Sequence, residues 1–155
     1  MTDAQLQTLA QALRAETDPA VVAALAIRDD YTLMLWCNGA SAQDAWHEAM
    51  DSRGLFELMS ITSFDGLTAG KRAAWDLMLR NAPLDMARAK YRAALPDIWG
   101  SSASVEMLQG CTRKATRGEV YLGGSSGTTN TVSALKLHVP GQIDVNTISE
   151  ALNRF

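Results

Sequence analysis

Apolar residues recur at helical spacing through most of the chain. Leu6, Leu9, Ala10 and Leu13 form one stripe. Thr2 and Gln5 in front of it have the spacing of a capping box, which pairs otherwise unbonded helix N–H groups. Asp18-Pro19 predicts a second helix, since proline at the first turn loses no hydrogen bond; Val22, Leu25 and Ala26 carry its buried face. Asp30 is placed to cap a third, through Leu33 and Trp36, with a left-handed stop at Asn38-Gly39. A helix from Ser41 would set Ala42, Ala45, Trp46 and Ala49 on one side. Short helix is predicted over 54–59 and a loop, or at most a brief strand, over 61–66. Thr68 and Asp85 are expected to cap two more helices. The first is followed through Ala74, Trp75, Met78 and Leu79, and the second through Ala87, Tyr91, Ala94 and Leu95, with Pro96 expected to kink or break its end. A last long helix is predicted from about 104 to 122, where Gly110 and Gly118 are expected to mark close approach of neighbouring backbones.

The period then changes to two. Over 132–139, Ser133, Leu135, Leu137 and Val139 alternate with Val132, Ala134, Lys136 and His138, the pattern of a half-buried strand. A Gly/Ser/Thr tract, 123–131, leads into it, and Pro140-Gly141 ends it. Asp144 caps a closing helix, 144–153, whose stripe is Val145, Ile148, Ala151 and Leu152. One strand in a helical chain needs hydrogen-bond partners from elsewhere. The fold class expected is therefore mainly α: a bundle of six to seven helices over 1–122, with a C-terminal extended arm, 123–155, whose strand pairs with another chain.

Composition narrows the chemistry. A chain of 155 residues, 47% apolar and 20% charged, is ordinary globular material for one domain. Its net charge of −3 argues against a protein that coats nucleic acid. Cys37 and Cys111 lie too far apart for a metal or redox motif and read as buried, reduced thiols. The opening residues lack the regions of a signal peptide, and no apolar run is long enough to span a membrane, so a soluble cytoplasmic product is expected. Asp44, His47, Glu48 and Asp51 could place carboxylates near an imidazole, but the segment has one histidine and no second ligand cluster. A solvated helix face is therefore the expected reading, and His138 reads as a surface or interface residue. The tract at Gly123 lacks the lysine and the strand-to-helix setting of a phosphate loop. No catalytic, metal-binding or cofactor-binding residue is assigned, and no cofactor is expected. Arg113, Lys114 and Arg117 form one basic patch and Arg88, Lys90 and Arg92 another, either solvated or facing an acidic partner or passing DNA. Leu135, Leu137 and Val139 are the expected assembly contacts. The tryptophans are expected to pack between helices, with Trp99, beside a Gly-Ser-Ser turn, part of the exposed interface.

The segments Leu67-Thr-Ala-Gly-Lys71-Arg-Ala-Ala-Trp75, Ala89-Lys90-Tyr-Arg-Ala-Ala-Leu-Pro-Asp-Ile-Trp99-Gly and Arg113-Lys-Ala-Thr-Arg117-Gly-Glu119 precede the Gly/Ser/Thr tract, the strand and Asp144-Val145. In that order they resemble a family of tailed-bacteriophage and prophage head–tail morphogenesis proteins. The resemblance covers roughly 65–150. Members often have alanine at the position of Gly118 and an aromatic-acidic strand end where Leu137-His138 stands. The resemblance implies a virion protein of the neck, a head–tail adaptor forming a homo-oligomeric ring, a dodecamer like the portal. Its partners would be the portal protein and a tail or tail-completion protein, with DNA passing without sequence-specific binding. A tail terminator, a completion protein or a minor capsid protein is the structural alternative; a DNA-associated packaging factor and a small enzyme are the others.

Overall fold

A computed structural model describes all 155 residues. It corrects the mainly-α expectation. The chain is an α/β fold, 58% helix and 17% strand, with a four-stranded mixed sheet. In chain order the elements are α1 (Asp3–Ala15), α2 (Pro19–Ile27), α3 (Asp30–Asn38), β1 (Ala40–Trp46), α4 (Ser52–Glu57), α5 (Ile61–Asp65) and α6 (Ala69–Arg80). They continue with α7 (Ala89–Trp99), α8 (Ser101–Gly110), β2 (Thr112–Thr116), α9 (Arg117–Tyr121), β3 (Gly124–Thr129), β4 (Val132–Leu137) and α10 (Val145–Arg154).

The sheet order is β2-β1-β4-β3, and β1 runs parallel to β4 with Ala45 opposite Leu135. β3 and β4 are joined only by Asn130 and Thr131, so they form a hairpin, with Asn130 at φ 55° making the turn. The extended arm therefore does not exist: the Gly/Ser/Thr tract supplies β3, and β4 finds both its neighbours within its own chain. The predicted helix from Ser41 is β1 instead. Its alanines favour helix by only tenths of a kcal/mol per residue, and pairing on both edges outweighs that preference. The predicted helix over 104–122 breaks into α8, β2 and α9. Thr116 and Glu119 form a capping box that starts a new helix, with Thr116 N donating to Glu119 Oε2 at 2.7 Å.

The chain forms two compact units, each built from separated segments. The first comprises Met1–Gln43, Lys114–Gly124 and Leu137–Phe155. In it α1 packs on α10, and α3 packs on α2, α9 and α10. Leu6, Leu9, Leu13, Leu33, Ile148 and Leu152 centre its core. The caps on α1, α2 and α10 form as the sequence predicts, at Thr2, Asp18 and Asp144. Asn38 pairs both ways with the Ile143 backbone, at 2.7 and 2.8 Å, and the buried Glu119 accepts from Gly141 N. These side chains fix the segment before α10.

The second unit comprises Asp44–Arg113 and Ser125–Lys136. Leu55, Trp75, Leu84, Met86, Leu95 and Leu108 fill its core. The Trp46 indole is fully buried and donates to Gly127 O at 2.9 Å; the Arg92 guanidinium stacks on it, 4.6 Å from the ring centroid. A Cβ at Gly127 would meet Arg92 Nη2 at 3.0 Å and Trp46 Nε1 at 3.1 Å, so the bare backbone there is what admits the indole. α5 replaces the predicted loop or brief strand. It buries no residue of its own and is held by Phe64, which faces Trp99 at 6.3 Å and lies under the Arg72 guanidinium at 5.4 Å. No helix is long and apolar enough to cross a membrane.

Both glycines are sites of close approach, but by side chains and not by neighbouring backbones. A Cβ on Gly110 would meet Leu58 Cδ2 at 2.2 Å; one on Gly118 would meet Ile143 Cδ1 at 2.3 Å and Cys37 Cβ at 3.3 Å. Gly118→Ala is thus expected to overpack the first unit and lower stability by about 1–3 kcal/mol, read from the urea midpoint at unchanged m. An unchanged midpoint would mean that Ile143 has room to turn away.

Candidate assembly surface

The sequence Pro19-Ala-Val-Val-Ala-Ala-Leu-Ala-Ile27 contains no polar side chain. An amphipathic helix buries one stripe and shows polar residues on the other; α2 has nothing polar to show. Val21 and Ala24 enter the core, while Pro19, Ala20, Val22, Ala23, Ala26 and Ile27 face solvent. α3 packs on α2 and adds Tyr31 and Leu35, four apart and hence on one face. Val22, Ile27, Tyr31 and Leu35 are 51, 76, 61 and 52% exposed. Arg28, at φ 57°, ends α2 in the left-handed conformation expected instead at Gly39.

Gly39 has a different task. Its φ is −67°, and a Cβ there would meet Arg117 Nη1 at 2.2 Å. The space it leaves lets Arg117 donate to Trp36 O at 3.1 Å and lie 4.0 Å over the Trp36 ring. The indole in turn donates to Tyr121 Oη at 3.0 Å. Burial pushes the Tyr121 hydroxyl up to about 12, against the lowering effect of that donated bond. Arg117 is half-buried and makes no ion pair. Its guanidinium borders a groove of about 280 Å³ whose walls include Ala20, Val21, Leu33, Leu35 and Trp36. Trp36 and Arg117 also border a second hollow of about 320 Å³, together with Glu16, Ala40, Ala42 and Tyr121. The first is an apolar cleft with a cation at its border, suited to an apolar side chain that carries a carboxylate nearby.

The residues singled out from sequence lie elsewhere or act differently. Leu137 is buried and Leu135 half-buried, and β4 points Val132 and Ala134 into the second unit's core. Val139 packs against the first unit's core. Trp99 is buried and meets Trp75 edge-on at 5.2 Å, where an exposed position beside the turn was expected. The basic run is not one helical face. Arg113 and Lys114 lie on β2; Arg113 pairs with Glu48 at 3.1 Å, and Lys114 donates to Ala42 O at 3.3 Å. Arg117 begins α9. Arg92, read as part of a surface patch, is buried and donates to Met86 O and Thr129 Oγ1, and desolvation lowers its pKa.

The spacing places Val22, Leu25 and Ala26 on the buried face of α2, but the structure buries Val21 and Ala24, leaves Leu25 half-buried and exposes Val22 and Ala26. The lack of any polar residue in α2 was in plain view and was the usable signal. Glu48 is held by Arg113, and His47 lies outside any helix, its backbone N–H donating to Cys111 O. No group of three or more His, Cys, Asp or Glu residues is gathered to hold a metal ion. No protein-family model matches the sequence, and neither a curated protein nor a solved structure matches it.

Proposed function

We propose that this chain is a structural subunit that acts by assembling with copies of itself, as a head–tail adaptor ring in the neck of a tailed phage. The observation that carries the assembly reading is the apolar solvent face of α2 and α3. Val22, Ile27, Tyr31 and Leu35 are 51, 76, 61 and 52% exposed, so covering them gains somewhat over half of the about 1.5–3 kcal/mol that full burial of such a side chain contributes. That is a favourable term set against the cost of binding. The neck location rests on the sequence resemblance over 65–150. A ring around DNA closes through heterologous contacts, in which one patch meets a different patch on the neighbour, and it needs no tight hold on DNA. A mildly acidic chain suits that task, at net charge −3.

Cryo-electron microscopy of tailed particles made with a tagged copy of the chain tests the location. Density for a ring of this fold between portal and tail, twelvefold in the simplest case, is the expected result. Density within the shell, at the distal end of the tail or nowhere in the particle would overturn the reading. A tail-completion or terminator role is the second structural reading, and the same image separates it by position along the neck.

A further inference from the structure

The half-buried, unpaired Arg117 beside an apolar groove has a counterpart on the second unit. α5 is a five-residue helix that contributes nothing to any core except the Phe64 ring packed beneath it. Ile61 at its start is 69% exposed. Asp65, four residues on and therefore on the same helical face, is exposed and makes no ion pair. An apolar side chain followed one turn later by a carboxylate is the complement of an apolar groove followed by a guanidinium. The sizes agree as well: an isoleucine side chain of roughly 100 Å³ enters a groove of about 280 Å³ with room for its neighbours.

From this complementarity, and resting on the self-assembly reading above, we infer that the α2–α3 groove of one copy receives α5 of a second copy. Ile61 inserts among Leu35, Leu33 and Trp36, and Asp65 pairs with Arg117. The contact is heterologous, groove on one copy and knob on the next, so it continues from copy to copy, as a ring requires, rather than ending at a dimer. The two halves have different energetic roles. Ile61 brings area to be buried, while the ion pair sets register and rejects wrong neighbours, since reversing either charge places like charges together in a water-poor groove.

The pairing separates cleanly by charge exchange. Wild type, Asp65→Arg, Arg117→Glu and the double variant Asp65→Arg/Arg117→Glu are compared by light scattering across a concentration series, with circular dichroism to verify folding. Each single reversal is expected to raise the concentration for half-assembly by about tenfold or more, and the double variant to return to within about threefold of wild type. Asp65 is exposed and its carboxylate makes no ion pair, while its bond to the Arg72 guanidinium is made by the backbone carbonyl, which arginine also supplies. Circular dichroism verifies that its reversal folds, so it remains informative even if Arg117→Glu unfolds. An Ile61→Asp chain should fold and fail to assemble. If assembly falls on Leu35→Asp but ignores Asp65→Arg and Ile61→Asp, the groove takes some other segment; the inference is then wrong and the self-assembly reading stands. If wild type stays monomeric at high micromolar concentration, both fall.

Discussion

Trp46→Ala is expected to lower the unfolding free energy by about 3–5 kcal/mol, the range for removing a fully buried tryptophan. Trp46 has no exposed surface, and three separate features of the second unit are shaped around it. Gly127 supplies a bare backbone carbonyl to its indole N–H, small Ala134 lies in the same core cluster, and Arg92 stacks on the ring while bonding Met86 O and Thr129 Oγ1. Alanine leaves a cavity beside a buried cation that has lost the aromatic face over which it was placed. Trp46→Phe should cost much less, because it keeps most of the volume and loses chiefly one hydrogen bond, about 1 kcal/mol. Equilibrium urea denaturation of the two variants against wild type measures this. A loss below about 1 kcal/mol for alanine would mean that the indole is not the centre of this unit.

Alkaline pH is expected to destabilise the chain from about pH 9 upward. Cys37 and Cys111 have no exposed surface, and burial pushes both thiols from 9.0 up to about 12; Tyr121 moves the same way by desolvation. The unfolded thiols release protons near 9 while the folded ones hold theirs. The unfolded state therefore binds fewer protons, and stability falls as pH rises. The contribution is whole below about pH 9 and is lost progressively toward pH 12. At about pH 10.5 each thiol accounts for about 2 kcal/mol. Denaturation series at pH 8 and 10.5 should show that loss, and a Cys37→Ala/Cys111→Ala chain should start lower and fall less. Equal stability at the two values would place the thiols in contact with water. In the acid range the capping carboxylates act in the opposite sense. Backbone and hydroxyl hydrogen bonds hold Asp29 and Asp144 below the usual carboxylate range, so their caps weaken as pH falls through it.

Helices were legible where local chemistry decides them. α1, α2, α6 and α10 start at the expected capping residues, because a Thr or Asp side chain bonding the second or third N–H of a helix is written within four residues. The sheet was not legible, since its strands depend on partners far along the chain. β1 reads Ala-Ser-Ala-Gln-Asp-Ala-Trp, with no β-branched residue, and becomes a strand because β2 and β4 flank it. β3 reads as a flexible tract, yet glycine at 127 is what lets Trp46 pass over its backbone. β2 was obscured by the charges around it, although Thr116 and Glu119 at cap spacing already signalled a new helix start. Arg117 was named as a candidate from its charge. Its actual setting, folded onto Trp36 at the border of a groove, depends on Gly39 giving way eighty residues earlier in the chain, to the nearest ten.

The assembly surface stands or falls on Leu35, exposed on α3 beside the groove, where a charged side chain should fold as well as leucine. The most direct measurement is the mass of the particle in solution, by light scattering or mass photometry, for wild type and Leu35→Asp. The surface described above predicts a closed oligomer for wild type and a folded monomer for the variant. A variant that keeps the wild-type mass, or a wild type that never leaves the monomer, would contradict it.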